Sequence, residues 1–350
     1  MSNTPSFTNS SLITDFTDSL ILIPNKWGYI QQLGLFEEAG TNQTTFTFDE
    51  ITLGGVLLVD KPRGERNVVG SQEARKTPSI PVPHFPYSDS IKPEDIQGIR
   101  RDGSATDTTS LDFEREQVLG RARRNWAQTM ELSRMEALKG NVYAPNGTVS
   151  INWYTEFGQT QKSENFDFAD TAVTNDMIAH TEAVTSHIAD NLLDGDMAGE
   201  TLALCSPEFF SSLISHPSVR EAYLNYQAMN QFGGAQPLRD RLGSPIDSRA
   251  RQFALGGMTY VEYRGQFKDA SGATVRLIPA GEAYAFPTGV DGMYQTIYAP
   301  ASRFSTVNQI GVSQYAFEKL IDDVEWKYDT ESNFINMVNR PQAVVKLTSS

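Results

Sequence analysis

The stretch Leu111–Gly140, LDFEREQVLGRARRNWAQTMELSRMEALKG, constrains this chain more than any other. At helical spacing Val118, Ala122, Trp126 and Met130 fall on one stripe, flanked by Leu119, Ala127 and Leu138, while Arg121, Arg124 and Arg134 fall largely elsewhere. The pattern predicts an amphipathic helix. Asp107, Thr108, Thr109 and Ser110 offer N-caps ahead of it, Asp112 and Glu114 set negative charge near the positive end of its dipole, and Lys139 with Gly140 ends it. At 1.5 Å per residue, a helix over 112–139 is roughly 40 Å long. That is more than an ordinary core needs, so the segment reads either as a long core helix or as a spine on which separate modules hang.

The parts on either side need partners. From Ser11 to Phe36 large apolar residues are dense but interrupted by Pro24, Gly28 and Gly34, which makes an arm rather than a domain. Each such side chain left in water forfeits about 1.5–3 kcal/mol, so the arm must lie on its own body or on a neighbour. Residues 44–59 alternate and then run apolar, and Ser79–Tyr87 is extended because Pro81, Pro83 and Pro86 forbid helix. Between them lies a charged, glycine-containing tip. An isolated two-stranded ribbon is marginal in water, so a ribbon this long implies a surface to lie on.

Beyond the helix, Asn146-Gly147 suits a tight turn, and Val149, Ile151, Trp153 and Phe157 alternate onto one face, which predicts a hairpin. Helical spacing returns over 171–193, a short strand fits 200–206, and Ser206-Pro207 and Pro217 each start a helix. Strands are expected at Met258–Tyr263, Val275–Pro279, Tyr284–Phe286, Met293–Tyr298 and Gln342–Thr348. The result is a mixed α+β chain without the strict βαβ alternation of a doubly wound sheet.

Chemistry finds little to stand on. A formal charge of −14 argues against a protein that grips nucleic acid, because that grip comes from cationic side chains on phosphates. The one cysteine, Cys205, cannot form an internal disulfide, and no apolar run spans a bilayer, so a soluble protein folded in a cytoplasm is expected. His180 and His187 stand seven apart, with Asp176 and Asp190 nearby, but without the His-Glu-x-x-His spacing of a zinc site. No phosphate-cradling glycine loop and no nucleophile elbow occurs. No cofactor, metal or catalytic residue is therefore assigned.

The order of parts, together with IPNKWGYIQQLGLFEEAG at 23–40, IPVPHFPYSDSIKPEDIQGIR at 80–100, YTEFG at 154–158, LISHPSVREAY at 213–223 and RPQAVVKLT at 340–348, resembles the lambda gpE-like major capsid proteins of tailed double-stranded DNA bacteriophages, which have the HK97-type fold. The resemblance runs nearly end to end. It implies an N-terminal arm over 1–43, an E-loop over 44–87, a P domain over 88–165 that includes the spine helix, an A domain over 166–312, and a return segment over 313–350. It implies a non-enzymatic subunit that self-assembles, as hexameric and pentameric capsomers, into an icosahedral head shell around DNA it does not bind specifically. Expected partners are a scaffold protein, the portal and a decoration protein, with no membrane, and assembly in the host cytoplasm. A tail or baseplate structural protein is the alternative, and a carboxylate-based hydrolase a more distant one. Some HK97-type shells weld neighbours through a Lys–Asn bond. Lys61 and Lys76 suit it by position only, and no bond is expected here.

At the loop tip Lys61, Arg63, Arg66, Arg75 and Lys76 outnumber Asp60, Glu65 and Glu73, on a chain that is otherwise acidic. The tip is expected to meet an acidic neighbouring subunit. Each exposed pair contributes only about 0–1 kcal/mol, so register and association rate should feel it more than affinity. Trypsin should therefore cut the 61–76 segment readily in free subunits and poorly after assembly, and joint reversal of Arg63, Arg66 and Arg75 to glutamate should leave a soluble subunit that assembles poorly, most of all at low salt. Equal cleavage before and after assembly would reduce the tip to an ordinary surface hairpin.

Overall fold

The computed structural model describes residues 14–15, 28–47, 50–51, 75–76, 79–99, 110–143, 149–172, 175–192, 199–222, 251–268 and 272–350. Its axis is the spine helix Leu111–Leu138, 28 residues long. Ser110 starts it, its Oγ accepting the Phe113 N–H at 3.3 Å, with Asp112 and Glu114 in the first turn. Gly140 ends it at φ 87°, the left-handed conformation that favours glycine. A Cβ at Gly140 would collide with the Tyr154 ring. The Tyr154 hydroxyl is shared between the carbonyls of Pro341 (2.9 Å) and Val344 (3.2 Å), and burial pushes its pKa up to about 12. One ring thus holds the helix end against the C-terminal segment.

The hairpin that follows pairs Asn141–Tyr143 with Val149–Asn152. The sequence pattern carries its second strand on to Phe157, but the chain turns into the short helix Trp153–Glu156 instead. Asn152 causes the break, because its Oδ1 accepts the Thr155 N–H at 3.2 Å and caps the new turn. Trp153 is then fully buried among Val142, Ile297, Ile335 and Met337.

Two six-stranded sheets flank the helix. In the first, the long strand Glu325–Val338 lies at the centre. Tyr315–Ile321 pairs antiparallel along one edge of it, and the short strand Thr14–Asp15 pairs outside that. Along the other edge His84–Ile91 pairs with residues 326–333. Tyr294–Tyr298 pairs with residues 334–338, and Glu37–Gly40 runs parallel to Tyr294–Tyr298. The sequence pattern does not announce the central strand. Its Thr330, Glu331, Ser332, Asn333 and Asn336 are all buried, so no hydrophobic alternation survives to be read. Each polar group has a partner instead: Asn336 Nδ2 donates to Ser133 Oγ at 2.8 Å, Asn333 Nδ2 to the Pro300 carbonyl at 2.9 Å, and Ser332 Oγ to the Ser313 carbonyl at 2.6 Å.

The second sheet runs in the order Ser163–Asn165, Val345–Thr348, Glu282–Pro287, Thr201–Cys205, Met258–Glu262, Gln252–Leu255. Alternation along it is clean. Leu202, Leu204, Val261, Tyr284 and Phe286 face a core shared with Met135 and Leu138 of the spine, whereas Ala203, Cys205, Tyr260, Ala283 and Ala285 face the helices Met177–Asp190 and Pro207–Ser215. Asp176 and Ser206 cap those two helices. The sheets exchange chain across position 313, since Tyr294–Tyr298 joins the first and Val345–Thr348 the second.

Of the ribbon expected over 44–87, Thr45–Thr47 pairs with Ser79–Pro81, and Ile80 is buried against Val142, Ile335 and Met337. Arg75 and Lys76 pair with Glu50 and Ile51, while Lys61, Arg63, Glu65 and Arg66 lie outside the described residues. Gly140→Ala should cost about 2 kcal/mol or more, because it adds left-handed strain to a ring collision. A lowered midpoint in urea unfolding, with an unchanged slope, checks it.

Candidate functional site

The four stripe residues are all buried: Val118 packs with Ile91 and Tyr328, while Ala122, Trp126 and Met130 pack with Leu119, Phe85, Tyr298, Ala316 and Phe334. Phe85 and Phe334 stack at 4.7 Å between ring centres beneath the helix. Since Phe85 belongs to the return strand of the ribbon, the helix holds the ribbon base and the central strand in one core.

Polar ties extend this hold along the helix. Near its start Arg115 reaches Glu318 Oε1 at 2.8 Å, and the Tyr328 hydroxyl donates to the same oxygen at 2.6 Å. Burial pushes the Tyr328 phenol up, and the hydrogen bond to Glu318 adds to the rise. Arg121 meets Asp89 at 2.9 Å in a partly exposed pair that contributes little to stability. Arg123 donates to Gln314 Oε1 at 2.6 Å.

The last third of the helix departs from the sequence reading. Arg134, expected away from the apolar stripe, is only 2% exposed. Its Nη2 donates to Glu38 Oε1 at 2.8 Å and to Thr296 Oγ1 at 3.3 Å, with the guanidinium 5.3 Å from the Phe36 ring centre. Spacing carried the signal, because 118, 122, 126 and 130 continue directly to 134 and 138. The charge of Arg134 hid it.

Glu131, 1% exposed, has no counterpart in the sequence reading. Its Oε1 accepts the Ile30 N–H at 2.9 Å and the Tyr263 hydroxyl at 2.7 Å. Burial, reinforced by Glu131, drives the Tyr263 phenol far above its ordinary value. Oε2 is buried without a hydrogen-bond partner, and Gly28 passes so near that a Cβ there would stand 2.8 Å from it. A single carboxylate thus ties the N-terminal segment, the spine and the second sheet together.

Among the described residues no group of three His, Cys, Asp or Glu side chains could hold a metal. His180 faces Glu164 Oε1 at 2.9 Å and Asn175 Oδ1 at 3.0 Å, whereas His187 faces the Gln342 carbonyl at 3.2 Å, so the two serve separate contacts. Burial pushes the Cys205 thiol well up, away from nucleophilic use. No helix among the described residues is long and apolar enough to cross a membrane.

Comparison with known proteins places these features in company. Residues 14–349 match the family described as phage major capsid protein E. The major capsid protein of Pseudomonas phage KPP10 is 43% identical over 98% of both chains, and that of Salmonella phage Felix O1 is 31% identical over 95% of both. Among solved structures, a prophage capsid protein from E. coli CFT073 superposes with a TM-score of 0.60 at 11% identity, covering 97% of this chain and 100% of that one. The capsid of Myoviridae phage XM1 superposes at 0.51 and 8% identity, covering 94% and 95%. These likenesses show an α+β fold of the HK97 capsid type.

The Glu131 junction can be tested on the free subunit. Glu131→Ala strands the Ile30 N–H and the Tyr263 hydroxyl and should cost about 3 kcal/mol, whereas Glu131→Gln keeps an acceptor and should cost about 1 kcal/mol. Unfolding midpoints of the two variants would check the order.

Proposed function

We propose a working layout for this subunit from one premise: the chain belongs to the phage major capsid protein E family and is a major capsid protein. In this layout residues 1–43 are the N-terminal arm, 44–87 the E-loop, and 88–165 with 313–350 the P domain around the spine. The A domain occupies most of 166–312, with Tyr294–Tyr298 going to the P domain side because it pairs with the central strand of the first sheet. The subunit is a structural one that joins copies of itself into the shell of the virion and carries out no catalysis.

The observation that carries the layout is the spine's set of attachments. One helix is tied to the N-terminal segment through Glu131, to the ribbon's return strand through Phe85 and Asp89, and to both sheets. A neighbour that moves the ribbon or the arm therefore pulls on a rigid rod rather than on a loop. Such a frame suits a protein whose contacts are with copies of itself. The basic ribbon tip, with Lys61, Arg63, Glu65, Arg66, Arg75 and Lys76, meets an acidic face of the next subunit, and the formal charge of −14 suits a wall around DNA that must stay free of it. A separate scaffold protein, the portal and a decoration protein complete the head, which assembles in the host cytoplasm.

Electron microscopy of the full chain, expressed with and without its neighbouring head genes, tests this reading. Closed shells or capsomers are the expected result. Tubes would point to a tail protein, and discrete monomers under every condition would overturn self-assembly.

A further inference from the structure

The segment joining the strands Tyr294–Tyr298 and Tyr315–Ile321 turns large apolar side chains into solvent. Phe304 is 101% exposed, Ile310 69% and Val307 58%. Single exposed apolar residues are ordinary, but three within seven positions make a patch, and patches mark contacts. The backbone that carries them is held firmly. Thr306 Oγ1 donates to the Ala301 carbonyl at 2.8 Å, the Gln309 N–H to the Thr306 carbonyl at 3.1 Å, and the Gly311 N–H to the Thr41 carbonyl at 2.8 Å. At Gly311 the chain crosses so close to the Tyr298 carbonyl that a Cβ would collide with it. Little ordering is left for binding to impose, which favours association.

The same subunit carries an open groove of about 340 Å³. Its apolar lining is Ile91, Ile96, Leu111, Leu320, Val324 and Trp326, with Lys92, Asp323 and Glu325 also on its walls, between the start of the spine helix and the tip of the 315–338 hairpin. Val324, at its edge, is 62% exposed.

Strand register sets the groove and Arg303, the residue before Phe304, on opposite faces of the first sheet. Leu320 pairs with Trp326 and Glu318 with Tyr328, on the face that packs against the spine, as the contacts of Val118 and Arg115 show. Phe317 pairs with Asp329 on the other face, and there Arg303 lies, 2.9 Å from Asp329 and with its guanidinium over the Phe317 ring. The sheet stands between Arg303 and the groove of one chain, so Phe304, next to Arg303, is kept from its own groove.

We propose that the 304–312 patch of one subunit seats in the groove of a second copy of this chain, with Phe304 entering beside Val324. The inference rests on the capsid reading and supplies it with a second contact, separate from the ribbon tip. Every copy brings one patch and one groove at separate places, the arrangement of a head-to-tail contact, which closes into rings when the rotation allows. Charge favours the same occupant. Residues 304–314 contain no ionisable side chain, so this contact adds no like-charge repulsion between chains that each carry −14.

Co-expression of a Phe304→Cys chain and a Val324→Cys chain, followed by assembly and a short bismaleimide, tests the contact; Cys205 is buried and stays out of the reaction. Support is a dimer-sized product holding one chain of each kind in assembled particles, at least about tenfold above either variant alone. The pair Phe304→Asp and Ile310→Asp, on exposed positions, should leave the melting midpoint of the free subunit unchanged and lower shell yield at least about tenfold, the loss expected on removing an anchoring side chain. Normal shells without the mixed product, or normal shells from the charged pair, would overturn the contact and leave the capsid reading standing. A product joining Phe304→Cys only to a different head protein would overturn the second copy as occupant. Failure of the unmodified chain to form shells or capsomers in any setting would overturn the capsid reading and the contact with it.

Discussion

Burial of one face of the spine helix is the interaction on which the rest of this subunit depends. Ala122, Trp126 and Met130 seal it to Tyr298, Ala316 and Phe334 of the first sheet, and Met135 and Leu138 seal it to the core of the second. At about 1.5–3 kcal/mol for each large buried side chain, this face outweighs any single polar tie along the helix. The polar ties do something different. Apolar packing is nearly indifferent to small slips, whereas Glu131 accepting from Ile30 and Tyr263, or Arg134 reaching Glu38 and Thr296, is satisfied in one register only. Leaving such groups unpaired inside the protein would be far costlier than leaving them in water, so they fix how the helix sits once packing has brought it there.

The central strand Glu325–Val338 extends the same logic. A strand this buried would ordinarily be apolar on both faces, yet it presents Thr330, Glu331, Ser332, Asn333 and Asn336 to the interior. Their partners lie on the spine at Ser133, in the Pro300 and Ser313 segments, and on the ribbon's return strand, where the His84 ring stands 2.7 Å from Asn333 Oδ1. Three stretches far apart in sequence are therefore pinned to one strand by directional bonds. For a shell subunit, that makes the frame stiff where neighbouring copies would pull on it. Asp329 shows the balance involved: burial alone would raise its carboxyl, but hydrogen bonds from Ser88, Arg303 and Lys327 outweigh it and hold the group below the usual carboxylate range.

Much of this was legible from the residues. The spine, its Ser110 cap and Gly140 stop, the pairing of Asn141–Tyr143 with Val149–Asn152, the start of the helix at 207, and most strands of the second sheet all follow local rules of period and capping. Those elements alternate or repeat cleanly because one side meets a core and the other does not. Ordered segments such as LISHPSVREAY and RPQAVVKLT also carried the resemblance to major capsid proteins, which family and relatives support.

What local rules could not supply was every feature decided by a distant partner. One miss was local instead: Asn152 could have continued a strand, and its cap on Thr155 made it a break. Glu131 and Arg134 look like solvent-facing residues until Ile30, Tyr263, Glu38 and Thr296 arrive to satisfy them, and the polar central strand looks like a loop until its neighbours do the same. By itself the sequence determined those helices and strands whose caps, stops and apolar faces depend on residues a few positions apart. Only the tertiary structure decided which polar groups could be buried, because that depends on hydrogen-bond partners brought in from other elements, well beyond the reach of local spacing.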